Sequence, residues 1–236
     1  MKYKIIAMIP ARAGSKRLAN KNLALLNGKP LIYYAIKAAK DSNIFDKIVI
    51  NSDSEIYSKI SKRYNVDFYK RPKFLGGSNI KSDDVVLDFI KKNSCETIVW
   101  VNSIAPMQTS SEIIKCVNYF IKKKLNSLIT TVEKKAHFLI QNKPINFNSR
   151  NKFAKTQDLV PLQEMVYSLM MWRSNTFMSC MKKNNSAILH GKVAYYSVGK
   201  LSSFIVKNKS DLMIVESILS SKELRKNILK YDKILC

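Results

Sequence analysis

Short apolar runs and helix-patterned segments take turns along the first half of this chain, and few folds accommodate that rhythm. YKIIAMI (residues 3–9) reads as a buried strand, and LIYYAIKAAKDS (31–42) sets apolar residues at helical spacing among good helix formers. KIVINS (47–52) is a second strand, followed by a helix in DSEIYSKISKRYN (53–65) with Asp53 or Ser54 as its N-cap. DFYK (67–70) is a short strand, and SDDVVLDFIKKN (82–93) a helix with acids in its first turn and lysines in its last, as the helix dipole favours. TIVWVNS (97–103), SSEIIKCVNYFIKKK (110–124) and SLITTVE (127–133) continue as strand, helix and strand. Strands separated by helices imply parallel pairing through right-handed crossovers, hence a doubly wound, mostly parallel α/β sheet.

The rhythm breaks after Glu133. HFLIQNKPINFNSRNKF (137–153) has the look of a β-hairpin turning at Asn142-Lys143-Pro144, followed by a polar loop; TQDLVPLQ (156–163) is irregular. MVYSLMMWRSNTF (165–177) and KVAYYSV (192–198) read as returning strands, and KSDLMIVESILSSKELRKNIL (209–229) as a final helical segment. The hairpin region is too short for a core of its own, so it is an insertion in one domain rather than a second fold.

Composition narrows the class. With 236 residues, 46% hydrophobic and 25% charged, the chain suits a single globular domain. No apolar run reaches the roughly 18–20 residues that span a bilayer, and the apolar stretch near the start falls short of the roughly 7–15 residues of a signal peptide; both point to the cytoplasm. Cys95, Cys116, Cys180 and Cys236 form no CxxC pair, as expected of free thiols in a reducing compartment, and His137 and His190 lack metal-ligand spacing to them. The net charge of +24 raises the question of nucleic acid. The lysines are spread along the chain, which argues for solvated faces rather than a localised nucleic-acid patch, though phosphorylated ligands will still be attracted.

One stretch concentrates charge to a purpose. IPARAGSKRLANKN (9–22) follows the first strand with Arg12, Lys16, Arg17 and Lys21 around a single Gly-Ser turn and no acid. Ligands of open α/β sheets bind outside the C-terminal strand ends, where this loop falls. Gly14, with Ala13 and Ser15 beside it, lets backbone N–H groups approach an anion; Arg12 can pair bidentately with phosphate, and Lys16 or Lys21 can act as point charges. The spacing fits neither GxGxxG nor GxxxxGK[ST], so the generic dinucleotide and P-loop readings fail.

The longer string IPARAGSKRLANKNLALLNGKPLIYYAIKAA (9–39) resembles the N-terminal signature of the acylneuraminate cytidylyltransferases, the CMP-sialic acid synthetases. VINSDSEI, YKRPKFL, SDDVVLDFI, VNSIAPM and TQDLVP follow in matching order, and the resemblance weakens after about residue 130. It implies a single cytidylyltransferase domain over 1–236 that transfers CMP from CTP to an acidic nine-carbon sugar for surface glycan synthesis, releasing pyrophosphate. Carried over by position, Arg12, Ser15 and Lys21 hold the triphosphate, with Arg12 and Lys21 the catalytic cations; Ala11 and Asn22 touch the nucleoside; Arg71 and Ser82 read the cytosine edge. On the residues alone, Arg71 could be a salt-bridged surface residue and Ser82 an N-cap. The segment from about Lys134 to Pro161 resembles the family's dimerisation arm, implying a homodimer with Gln157 and Asp158 near the sugar, although QDL could equally be a loop cap.

Two departures stand out. Where the family strand ends in a QPTSPLR-like stretch, this chain has VNSIAPMQ, so Asn102 takes the glutamine position, keeping an amide that can bond a sugar, and Gln108 takes that of the arginine. The resemblance also implies Mg2+ held by a DID motif before the last helix; here Ile205 and Lys207 stand at the two aspartate positions, and the protein ligands of the metal are lost. Asp53, Asp83 or Asp211 could substitute, the triphosphate and water could hold the metal, or Lys207 could itself neutralise the phosphates. An alternative is a catalytically degraded homologue that binds nucleotide or a partner without turnover. No general base is evident, and both histidines read as structural.

Overall fold

The computed structural model describes residues 3–15 and 17–221. Lys16, Cys236 and the end of the expected final helix lie outside the described residues. In chain order the elements are β1 (Tyr3–Pro10), β2 (Leu25–Leu26), β3 (Lys29–Pro30), α1 (Ile32–Ser42), β4 (Lys47–Ser52), α2 (Ile56–Tyr64), β5 (Asp67–Lys70), α3 (Ser82–Lys92), β6 (Cys95–Val101), α4 (Ser110–Lys122), β7 (Ser127–Lys134), β8 (Leu139–Ile140), β9 (Lys143–Pro144), β10 (Leu162–Arg173), α5 (Ser174–Asn184), β11 (Val193–Ser197) and α6 (Lys209–Ser220). Seven strands form one sheet in the order β11-β7-β10-β6-β1-β4-β5. Every neighbouring pair is parallel except those of β10, which runs antiparallel to both β6 and β7.

Period-two alternation sorts the central strands onto two cores. Ala7 and Ile9 of β1 and Val99 and Val101 of β6 face α1, α2 and α4, where Ile36, Tyr57, Ile113 and Phe120 complete the packing. Ile6 and Met8 of β1 and Ile98 of β6 face the other layer, with Val86 and Phe89 of α3 and Phe177 and Met181 of α5. The doubly wound reading therefore holds, with helices covering both faces of a mostly parallel sheet. Among the described residues no helix is long and apolar enough to cross a membrane.

Several local expectations are corrected. The strand expected to reach Phe177 ends at Arg173, and Ser174–Asn184 is helical. Phe177 and Met181, four apart, bury one stripe against the sheet, a spacing that only a helix presents to one face. The short hairpin of β8 and β9 turns at Gln141-Asn142, both at positive φ (47° and 65°), one position earlier than expected. A two-residue turn of that kind needs two left-handed residues, which Pro144 cannot supply because its ring fixes φ negative. A second tight hairpin, β2–β3, turns at Asn27-Gly28, both at positive φ, the strongest short-range sequence signal for one. It anchors α6: Asn27 N donates to Glu216 Oε1 at 3.0 Å, and Leu26 and Leu31 pack with Val206 and Val215.

Candidate active site

The connections from β1 and β6, neighbours in the sheet, run in opposite directions: from β1 through α1 to β4, and from β6 through α4 to β7. Loops leaving such a pair diverge and open a crevice at the C-terminal strand ends. Here the crevice has a volume of about 540 Å³. Arg12, Ser15, Arg17 and Lys21 line one side; Arg71 and Ser82 line another; Trp100, Asn102 and Ser103 form the end contributed by β6 and its loop. Residues distant in sequence and assigned to triphosphate and to base thus share one cavity.

The walls are held by buried polar contacts. Ser103 Oγ lies 2.7 Å from the Pro10 carbonyl and 3.0 Å from Asn22 Oδ1, tying the β6 loop to the cationic loop. The Asn22 amide also bonds Tyr57, so this residue is a buried strut as well as a lining residue. Ala11 is a core residue whose N–H extends the β1–β4 ladder to Asn51 O at 2.9 Å. Ala13 donates its N–H to Asp53 Oδ1 at 3.2 Å, and Gly14 is exposed with open space where a Cβ would stand; none of these three lines the crevice.

The sequence offers Asp53 or Ser54 as the cap of α2, and neither serves. Instead the residue before that helix is Glu55, with no side-chain cap, and the Asp53 carboxylate faces Arg71, whose Nη2 lies 3.3 Å from Oδ1. Both side chains are almost wholly buried, which excludes the reading of Arg71 as a surface residue. Burial lowers the pKa of Arg71 and Asp53 opposes that effect. Arg71 Nε has no partner among the described residues, leaving a donor in the wall of the crevice. Ser82 is not an N-cap either; it is the first residue of α3, follows Lys81 as the capping position and makes no cap bond. Lys21 is lowered to about 8, chiefly by burial, then by the charges of Arg17 and Arg12, with Lys207 adding and Asp211 opposing. Cations crowded this closely are arranged for an anion.

A second cavity of about 820 Å³ adjoins the first, sharing Arg17, Asn102 and Ile104 with it. One wall comes from an irregularity in β10, where the register with β7 shifts between Met165 and Met170 and Tyr167 takes a positive φ of 53°. A bulge re-aims side chains out of the sheet pattern, here placing Met165, Val166 and Tyr167 in the wall. Asn102 fixes it by donating from Nδ2 to Tyr167 O at 3.0 Å. The opposite wall carries Phe204, Ile205 and Lys207. Gln157 and Asp158 are exposed on a 3-10 turn and line neither cavity of this chain; the Gln157 carbonyl accepts from Lys135 Nζ at 3.0 Å. Gln108 is buried outside both cavities and donates to Glu112 at 3.1 Å. His137 is stacked on Phe153 at 4.1 Å between ring centres, a packing role.

The residues present do not fit a magnesium ion, which takes hard oxygen ligands. Ile205 offers none and Lys207 carries the ion's own sign. Asp211 Oδ2 accepts the backbone N–H groups of Lys207 and Asn208 at 2.7 and 3.0 Å, closing a capping box on α6. Asp83 Oδ1 accepts from Ala187 and Ile188 N–H at 2.7 and 3.2 Å, and Asp53 holds Arg71. Among the described residues no three His, Cys, Asp or Glu side chains converge as a metal site.

Sequence reasoning pointed to the cationic loop, Arg71 and Ser82, which line the crevice, and missed Asp53 as the partner of Arg71 and the Ala13 N–H, Ser103 as the clamp and Trp100 as a lining residue. Ser103 carried no signal, being one hydroxyl in a loop. The fold and site define an α/β protein with a cationic loop lining a crevice at the sheet's switch point. The chain belongs to the cytidylyltransferase family, whose model matches residues 6–198. It is similar to the N-acylneuraminate cytidylyltransferase of Escherichia coli, 38% identical over 125 residues, which is 51% of this chain and 29% of that relative's length. It is also similar to the post-translational flagellin modification protein B of Campylobacter coli, 26% identical over 94% of this chain and 97% of that protein. The fold matches a CMP:2-keto-3-deoxy-manno-octonic acid synthetase complexed with CTP, with a TM-score of 0.70 at 13% identity over 92% of this chain and 98% of that one.

Proposed function

We propose that this chain is a cytidylyltransferase that joins CMP to an acidic nine-carbon sugar. The observation that carries the reading is the continuity of two cavities: a cationic crevice joined through Arg17, Asn102 and Ile104 to a larger chamber. CTP fits the first with its phosphates toward Arg12, Ser15 and Lys21 and its base toward Arg71 and Ser82. Arginine can donate to the O2 and N3 acceptors of a pyrimidine together, and burial keeps water from competing. The sugar acid takes the second, where Arg17, Lys134, Lys135 and Lys200 offer charge to its carboxylate.

In the reaction the anomeric hydroxyl oxygen bonds the α-phosphorus of CTP as the bond to the bridging oxygen breaks; pyrophosphate leaves and the hydroxyl proton is released. Arg12 and Lys21 stabilise the charge that builds on the phosphates, the role in which preorganised cations contribute most. The reading makes the molecule a homodimer joined through the arm, in support of which Leu139, Ile140, Phe153 and Val160 are exposed there. A partner's Gln157 and Asp158 then approach the sugar. It also places the reaction in the cytoplasm, in keeping with Cys116 and Cys180 as free thiols.

Pyrophosphate release, assayed with CTP and a panel of nonulosonic acids, tests the proposal. The expected result is release that needs both substrates and is lost in Arg12→Ala. Measurable CTP binding with no release from any acid overturns it in favour of a nucleotide binder without turnover.

A further inference from the structure

The balance of charge around the cavity junction differs from what a metal-dependent site requires. No acidic side chain lines the nucleotide crevice among the described residues, whereas Arg12, Arg17, Lys21 and Arg71 all do. Lys207 and Ile205 stand together in the adjoining cavity, and Val206 between them is fully buried. Val206 packs with Leu26, Leu31 and Val215, and its two neighbours line the cavity. The carboxylate nearest in sequence, Asp211, has turned one oxygen to the backbone N–H groups of Lys207 and Asn208. The charge of Lys207 is one of those that lower the pKa of Lys21, after burial, Arg17 and Arg12.

We propose that this chain takes its nucleoside triphosphate as the free anion, with Lys207 supplying at the junction the positive charge that a divalent cation would otherwise bring. A nucleoside triphosphate carries about four negative charges near neutral pH, and the cations of the loop together with Lys207 balance them through charge-assisted hydrogen bonds. The carboxylates of the adjoining cavity are Glu133, Glu164, which pairs with Lys134, and Asp211, while the nucleotide crevice has none, so a dication arriving with the nucleotide meets like charge at Lys207 and no carboxylate of the crevice. The inference rests on the nucleotide reading of the crevice, and the experiment separates the two.

Calorimetric titration of the full chain with CTP, once with EDTA and once with excess magnesium chloride, provides the test. Lys207 is exposed, and its backbone rather than its side chain serves the α6 cap, so Lys207→Ala should fold normally, as thermal melting will verify. The expected result is CTP binding in EDTA at least as tight as in magnesium. Lys207→Ala should weaken the EDTA value about tenfold, the size of one charge-assisted hydrogen bond. Lys209→Ala, an exposed lysine that lines neither cavity, should leave it unchanged. Binding about tenfold or more tighter in magnesium overturns the inference while leaving the nucleotide reading intact. So does an unaltered Lys207→Ala, or a Lys209→Ala that weakens binding equally, which would assign the effect to net charge. Absence of CTP binding under both conditions overturns the nucleotide reading and the inference with it.

Discussion

Removing the Asp53 carboxylate strikes the contact on which the base side of the crevice depends. Asp53→Ala leaves the Arg71 guanidinium, whose side chain is 3% exposed, without the counter-ion that now lies 3.3 Å away. It also deprives the Ala13 N–H of its acceptor. Breaking a buried ion pair from one side costs about 3–5 kcal/mol, because the remaining charge stays desolvated. The crevice beside Arg71 admits water on one side, so the lower end applies, about 3 kcal/mol. For a domain of this size that is a fall in melting temperature of roughly 6–12 °C. Denaturant unfolding monitored by tryptophan fluorescence measures it. A double-mutant cycle with Arg71→Met isolates the pair, since the double variant removes both charges and should recover about 2 kcal/mol relative to the sum of the singles. CTP affinity should fall in both single variants. A loss below about 1 kcal/mol for Asp53→Ala, or strict additivity in the cycle, would refute the claim that this pair builds the crevice wall.

Gly76→Ala should destabilise by about 1–3 kcal/mol, because its Cβ would collide with the Asp53 carboxylate, which Arg71 and Ala13 prevent from moving aside; an unchanged denaturation midpoint would count against that restraint. Ser103→Ala frees the Pro10 carbonyl and Asn22 Oδ1 at once and should cost about 1–3 kcal/mol together with weaker CTP binding, read by unfolding and titration of the same sample. Lys21 stands at about 8 in the unliganded protein, and a triphosphate raises it toward its ordinary 10.5. Affinity for CTP is therefore full below about pH 8 and declines as pH rises above it, with proton uptake on binding. Calorimetry at alkaline pH in buffers of different ionisation enthalpy measures that uptake, and Lys21→Arg should abolish it. Proton release from the protein at that pH would contradict the assignment.

The sequence alone determined the alternation of the main strands and helices up to about Glu133 and the sheet's mostly parallel character, because hydrophobic period is local and each element had to bury one face. It placed four cations about one Gly-Ser turn as well, and the fold sets three of them, Arg12, Arg17 and Lys21, in the lining of one crevice. It did not determine where β10 gives way to α5, since an apolar run between Met165 and Phe177 suits either state until a sheet edge or a helix groove claims it. Nor did it reveal that Asp53 would forgo a helix cap for Arg71, or that Ser103 would clasp Pro10 and Asn22. Those partners lie 18 to 93 residues apart in the chain. Only the meeting of β1, β4, β5 and β6 brings them within hydrogen-bond reach, and a local preference of about 1 kcal/mol for capping yields to a buried charge that must be neutralised.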